Sequence, residues 1–265
     1  MITQKQLPKN LRDIIDNQVK KYRKPVTSVT VDRVPNVDKI PTEQSEKWLK
    51  IENVVCVFVD MKNSTQLSAK HHASSTGKVY TLFTGTAVRI FKELGASYVD
   101  IKGDGVFALF DFDKVHHAFS AAVTFKTFVK DVFAPKVANK TSVDTGVHIG
   151  IDQATLLVSK IGLRRSASRG DLHNEVWAGK AVNMAAKLSS LSKDDEIHVS
   201  PAYFKSLKAR EAKYSCSCNT QVLLWEEINL SHDDRFSFDK AHVLKSFWCK
   251  NHGAEYLEKI LEADK

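Results

Sequence analysis

No stretch of this 265-residue chain is apolar for the roughly 18 consecutive residues that a membrane-spanning helix needs. The opening residues, Met1-Ile2-Thr3-Gln4-Lys5-Gln6, lack the pattern of a signal peptide. Cysteine is scarce, with four residues in all, which excludes a disulfide scaffold and points to a reducing, cytoplasmic setting. Internal repeats and low-complexity tracts are missing, so repeat architectures are excluded. Of only six prolines, Pro25, Pro35 and Pro41 fall close together near the N-terminus and rule out a long regular element there. An acidic excess is also lacking, since 39 Lys and Arg face 31 Asp and Glu for a net charge of +8. That balance suits an anionic partner, a nucleotide or a nucleic acid, without choosing between them. Hydrophobic content of 43% and charged content of 26% are ordinary for a globular chain with one large core.

What is present divides into three parts. Residues 1–47 are expected to form a helix and an extended basic arm. Leu11, Ile14, Ile15, Val19 and Tyr22 recur at helical spacing over about 9–23, and residues 24–47 read as extended. An arm this long wraps a neighbour or serves a function, the plainer alternative being a mobile basic tail. Residues 48–207 carry the main pattern. The β-branched run at 53–59 predicts a strand covered on both faces, and Val79, Leu82, Phe83, Ala87, Ile90 and Leu94 predict a helix closed at Gly95. Strands over 97–102 and 106–112 meet at Gly103-Asp104-Gly105, a sequence suited to a tight hairpin. A helix from Val115 to about Phe133 follows, then strands over 142–152 and 156–161. A helix is expected over 180–191, a strand over 196–200, and a helix over 201–207 with Pro201 in its first turn. The order β-α-β-β-α-β predicts an α+β, ferredoxin-like fold. Residues 208–265 read as a C-terminal extension on the same domain, with strands over 222–228 and 243–249 and a short helix over 254–261.

The chemistry concentrates between residues 54 and 104. Asp60 ends the run Val54-Val55-Cys56-Val57-Phe58-Val59, and Asp104 sits 44 positions later in the hairpin turn. Two strand-end carboxylates presented side by side by a βαββ unit can hold two divalent cations, the arrangement that activates an attacking oxygen and neutralises a leaving one in phosphoryl transfer. Magnesium suits such oxygen donors.

These residues also carry a resemblance. Val59-Asp60-Met61 with Thr65, and Lys102-Gly103-Asp104-Gly105-Val106-Phe107-Ala108-Leu109-Phe110, resemble the two metal motifs of class III nucleotidyl cyclases. Val147-His148-Ile149-Gly150-Ile151 looks like the strand after that family's second helix. Trp177-Ala178-Gly179-Lys180-Ala181-Val182-Asn183-Met184-Ala185-Ala186-Lys187-Leu188 resembles its transition-state motif. The resemblance spans about residues 50–207. It implies that Asp60, Asp104 and the backbone carbonyl of Met61 bind two Mg²⁺ or Mn²⁺ ions per site. It further implies that the amides of Lys62, Asn63, Ser64 and Thr65 cradle phosphates, that Asn183 orients the ribose, and that Lys187 stabilises charge on the α-phosphate. In such cyclases Asn183 and Lys187 come from the other subunit, so a head-to-tail homodimer with interfacial sites and a nucleoside triphosphate substrate is implied.

Several positions depart from the pattern. Lys187 stands where arginine is usual, keeping the charge but losing the planar fork. Ser64 replaces a phenylalanine, and Asp152-Gln153-Ala154 replaces His-x-Gly. Asp100 occupies the base-reading position, and a carboxylate only accepts hydrogen bonds. It therefore disfavours adenine and suits guanine, cytosine or uracil. The second base-reading position falls at Glu175, Val176 or Trp177, where Trp177 could narrow the pocket. The wording around Asp60, the Ile40-Pro41 arm with Trp48, and the Trp177–Lys187 run are most similar to the bacterial pyrimidine cyclases of anti-phage (Pycsar) systems. That likeness implies cyclic CMP or cyclic UMP as a messenger for an effector. Two acids able to accept from an exocyclic amine, Asp100 and Glu175, tilt the expectation to CTP, with UTP the alternative.

Other groups are weaker candidates. Cys216-Ser217-Cys218 with Cys249-Lys250-Asn251-His252 could supply four zinc ligands, although Cys-x-Cys is a less typical half-site than Cys-x-x-Cys and ordinary thiols are the plainer reading. Arg164, Arg165 and Arg169 could reach a triphosphate. His71-His72 and His116-His117 read as helix-surface residues. A guanylate or adenylate cyclase, a non-catalytic nucleotide-binding module and a nucleic-acid-binding module are the rival readings. The last lacks an aromatic stacking platform beside its lysines, and a diguanylate cyclase would need a Gly-Gly-(Asp/Glu)-Glu-Phe turn that the chain lacks. The expectation is therefore a cytoplasmic enzyme with neither a nucleic-acid nor a membrane partner.

Overall fold

The computed structural model describes residues 2–70, 72–162, 173–193, 195–216, 218 and 220–265. In chain order its elements are α1 (Lys9–Tyr22), β1 (Thr27–Val31), β2 (Lys47–Met61), α2 (Ser64–Lys70), α3 (Ala73–Glu93), β3 (Tyr98–Lys102), β4 (Gly105–Phe110), α4 (Val115–Phe128), α5 (Ala134–Thr141), β5 (Val147–Gly162), β6 (His173–Gly179), α6 (Lys180–Leu191), β7 (Ile197–Val199), α7 (Pro201–Ser206), β8 (Trp225–Asn229), β9 (Lys240–Leu244) and α8 (Gly253–Glu262). Among the described residues the strands make one sheet in the order β3-β4-β2-β5-β7-β9-β8, with β1 on β2 and β6 on β5. Its first four strands, β3-β4-β2-β5, have the antiparallel ferredoxin-like arrangement that the pattern predicts.

β2 explains why one run of residues serves two cores. Because successive side chains alternate between faces, Val55, Val57, Val59 and Met61 enter the larger core, and α3 and α4 cover that face with Phe83, Phe91, Phe119 and Phe125. Val54, Cys56 and Phe58 enter a smaller cluster on the other face with Phe107, Leu109, Trp177 and Ala185. α6 seals that face by lying almost on the backbone of β5. A Cβ at Gly150 would stand 2.0 Å from the carbonyl oxygen of Ala185, so only glycine permits this approach.

The structure differs from the sequence pattern in several places. The helix expected to stop near Phe133 continues through a π turn, Val129–Phe133, into α5. Pro135 has no N–H to return to the preceding turn, and the chain widens just before it rather than ending. The strand expected from 142 starts at Val147, because Ser142 takes a left-handed conformation (φ 55°) that caps α5, and the strand then runs unbroken to Gly162. β1, α2 and β6 had no clear signal. β1 is almost wholly exposed, so it lacks the alternation that marks a half-buried strand.

The arm is also more ordered than a basic tail. β1 pairs in parallel with Lys47–Ile51, the Val34 amide donates to Asp111 Oδ1 at 2.7 Å, and the Lys160 amide donates to the Pro41 carbonyl at 2.8 Å. Val34 and Ile40 thereby cover the smaller cluster of the chain's own sheet. α1 does follow its predicted span, but Leu11, Ile14, Val19 and Tyr22 stay exposed.

His116 is the clearest correction among the histidines. It is buried (4% exposed) rather than on a helix surface. Its Nε2 accepts from the amides of Lys208 and Ala209, which places the proton on Nδ1, facing Asp264. Asp264 also accepts from the amides of His116 and His117, so the tail caps the start of α4 and burial is compensated by pairing. His71 lies outside the described residues.

Candidate active site

Residues directly opposite in a ladder share a face, so the register assembles the site. Phe58 lies opposite Phe107, which lies opposite Asp100, and Asp60 lies opposite His148. Asp60, Asp100, Phe58, Phe107 and His148 therefore line the face that carries Trp177. β3 and β4 close at Lys102 and Gly105, leaving Gly103-Asp104 as a two-residue turn with Gly103 at φ 69°. The turn sets Asp104 at the end of this face, beside Asp60. Asp60 Oδ1 lies 3.3 Å from where a Cβ would stand on Gly105, immediately after Asp104.

The charges report the same proximity. The Asp60 carboxyl is pushed up to about 6, first by burial and then by the charge of Asp104, with His148 acting in the opposite direction. Two carboxyls crowded in this way offer a cation oxygen donors, the hard set that Mg²⁺ or Mn²⁺ takes. Met61 buries its side chain in the large core, which leaves its backbone as the part that can serve this site. His148 Nδ1–H donates to the carbonyl of Ser192 at 2.6 Å, fixing the ring beside Asp60.

The segment expected to cradle phosphates, Lys62 to Thr65, follows β2 directly. Lys62 donates its amide to the carbonyl of Gly146 and its ammonium to Asp144, so its amide is already used. Asn63 turns the chain through a left-handed conformation (φ 60°) and donates from its side chain to the Asp144 carbonyl at 2.8 Å. Ser64 and Thr65 begin α2, where first-turn amides have no intrahelical partner.

At the opposite end of the face, Tyr98 meets Trp177 with ring centroids 4.7 Å apart and Phe107 at 5.9 Å. Burial pushes the Tyr98 hydroxyl up to about 12, and the charges of Asp100 and Glu175 both bear on it. Trp177 is 8% exposed, and its indole nitrogen has no well-aligned acceptor among the described residues. Asp100 pairs with Lys102 at 2.8 Å, while Glu175 lies 4.0 Å from Lys160. Sequence reasoning singled out Asp100 and Trp177 and missed Tyr98, whose aromatic ring in a strand is indistinguishable from an ordinary core residue.

Asn183 and Lys187 share one face of α6, four residues apart. Asn183 is exposed, and Lys187 donates to the carbonyl of Arg235 at 2.6 Å. Asp152, opposite Cys56, is buried, and burial raises its carboxyl despite a hydrogen bond from Ser200. Arg164, Arg165 and Arg169 lie outside the described residues.

Comparison with known proteins places the chain in a family. Residues 47–229 match the model of the adenylate and guanylate cyclase catalytic domain. The chain is 37% identical over 229 residues to a uridylate cyclase of Micromonospora echinofusca, covering 84% of this chain and 73% of that protein. It is 34% identical over 238 residues to a uridylate cyclase of Propioniciclava tarda, covering 86% and 75%. Among solved structures, the adenylyl cyclase CyaB from P. aeruginosa superposes with a TM-score of 0.58 at 17% identity, covering 74% of this chain and 94% of that one. The catalytic core of a rhodopsin-guanylyl cyclase in complex with ATPαS gives 0.59 at 17% identity, covering 75% and 98%.

Proposed function

The chain belongs to the adenylate and guanylate cyclase catalytic-domain family and is a nucleotidyl cyclase, and from that premise we propose that it converts a pyrimidine nucleoside triphosphate, UTP, to its 3′,5′-cyclic monophosphate and diphosphate. The observation carrying the reaction type is the convergence of Asp60 and Asp104 across β2 and the β3–β4 turn. The names of the relatives support the base, and Asp100 is compatible with it, since a carboxylate can accept from the N3–H of uracil.

In this reading the 3′-hydroxyl of the substrate attacks its own α-phosphorus and diphosphate leaves. Asp60, Asp104 and the Met61 carbonyl hold divalent cations, which when bound acidify the hydroxyl and neutralise the leaving phosphates. The amides of Asn63, Ser64 and Thr65 receive the triphosphate at the start of α2. Asn183 and Lys187 of a second subunit orient the ribose and meet charge developing on the α-phosphate, so the working form is a homodimer. Tyr98 and Trp177 narrow the pocket at Asp100. Positioning and charge stabilisation, rather than a dedicated protein base, supply the rate. The product then serves as a messenger for a cyclic-nucleotide-sensing effector.

A second reading, CTP as substrate, rests on the two acids around Tyr98, either of which can accept from the cytosine amine. Incubating the protein with ATP, GTP, CTP or UTP and Mn²⁺, then identifying products by mass spectrometry, separates the readings. Cyclic UMP as the main product is expected, and cyclic CMP would select the second. Cyclic purines alone, or no product, would overturn the proposal.

A further inference from the structure

Three of the four cysteines lie outside both cores, and the fold brings them to one place. Cys216 and Cys218 belong to the loop pinched at its base by the Tyr214–Leu223 bridge, while Cys249 and His252 occupy the turn that leads into α8. Cys218 Sγ lies 3.2 Å from Cys216 Sγ, 3.5 Å from Cys249 Sγ and 3.0 Å from His252 Nδ1, and Cys249 Sγ lies 4.0 Å from the same nitrogen. All four ligand atoms fall within 4.8 Å of one another.

We propose that Cys216, Cys218, Cys249 and His252 form a zinc site that fastens the C-terminal extension. A tetrahedral ion with Zn–S near 2.3 Å and Zn–N near 2.0 Å separates its ligands by about 3.5 to 3.8 Å, the range around which these contacts scatter. Three thiolates and one imidazole are a closed structural set, with no position left for a substrate. The donors are soft, unlike the oxygen donors around Asp60, so the two sites take different metals.

The placement gives the ion a task. The described residues of this loop, 215, 216, 218 and 220–222, are exposed or half-exposed. Its neighbour, the turn at 249–252, is closed by the Gly253 amide donating to the Cys249 carbonyl at 2.7 Å. From that turn α8 carries Ile260 into the large core and ends beside Asp264, the cap on α4. One ion tying loop to turn therefore fixes where α8 begins, as a cross-link does in a region too small for its own core. Cys56 takes no part, being wholly buried in the smaller cluster on β2.

The test is metal analysis of the full chain, purified without chelator. One equivalent of zinc per chain is expected, with loss of nearly all of it in Cys218→Ser and Cys249→Ser. Should those variants fail to fold, cobalt substitution of the wild type decides. A thiolate-to-cobalt charge-transfer band and intense tetrahedral d–d absorption are expected, and ions held by carboxylates give neither. Chelation should lower the unfolding temperature, and zinc rather than magnesium should restore it. Substoichiometric zinc in the wild type, a disulfide within the cluster, a cobalt spectrum without thiolate bands, or zinc retained in a folded Cys218→Ser would overturn the site. None of these readouts depends on which nucleotide the protein cyclises.

Discussion

At the scale of single residues, the site turns on two carboxyls with different origins. Asp60 is held by the ladder of β2 with β5, one residue past the last β2–β4 pair, whereas Asp104 is held by a two-residue turn. Replacing either with alanine removes charge from a crowded pair without opening the core, so folding should survive while cation binding fails. Asp60→Ala and Asp104→Ala are each expected to lower cyclic-nucleotide production at least a thousandfold, a loss of about 4 kcal/mol of transition-state stabilisation, with an unfolding temperature at or above that of the parent. Turnover within tenfold of wild type in either variant would remove that residue from the metal assignment. Both acids were legible in the sequence because one ends a β-branched run and the other sits in an Asp-Gly turn. Tyr98 was not, because its role comes from facing Trp177 across strands remote in the chain.

At the scale of elements, α4 is anchored by a buried amine. Lys126 is fully buried, donates to the carbonyl of Asp195 at 2.9 Å and more weakly to that of Leu244, and lies 4.3 Å from the centre of the Phe247 ring. It joins the helix to the loop before β7 and to the end of β9. Burial outweighs the nearby acids and brings its ammonium down to about 7 from the ordinary 10.5. Between those values the unfolded chain binds a proton that the folded chain does not, so this group makes stability rise with pH. Its contribution is complete above about 10.5 and is lost as pH falls through about 7. Denaturant unfolding of wild type and Lys126→Met across this window should therefore diverge, the wild type gaining about 1 kcal/mol per pH unit relative to the variant. A pH-independent difference would show that the amine keeps its proton. The α4 sequence announces a helix, but nothing in it distinguishes Lys126 from a surface lysine.

At the scale of the whole molecule, the proposed chemistry is divided between copies of the chain. Asp60 and Asp104 sit at one end of the sheet face, while Asn183 and Lys187 sit on the outer face of α6 with Lys187 turned to Arg235. The proposed head-to-tail dimer would place the acids of one subunit opposite α6 of the other. Asp60→Ala and Lys187→Ala should each be inactive alone. Mixed and allowed to exchange, they form heterodimers with one intact site and one doubly defective site. About a quarter of wild-type activity should return when exchange is random, from half the dimers each carrying one of two sites. No recovery, with subunit exchange verified by light scattering or native mass spectrometry, would place all four residues in one chain.

The sequence by itself determined the two-sided burial of β2, the Asp-Gly turn, most helix spans and the order of the central strands β2 to β5, because these follow from periodicity and turn chemistry over a few residues. It also contained, in Cys216, Cys218, Cys249 and His252, ligands whose meeting it could not announce. Only tertiary structure decided that meeting, since the half-sites are separated by β8, β9 and the loops around them. Tertiary structure likewise decided that the arm lies on its own sheet, that His116 is buried by pairing with Asp264, and that Tyr98 stands against Trp177. Each depends on which distant segments share a face. That is a property of strand register and packing across the sheet, and no local stretch of residues carries it.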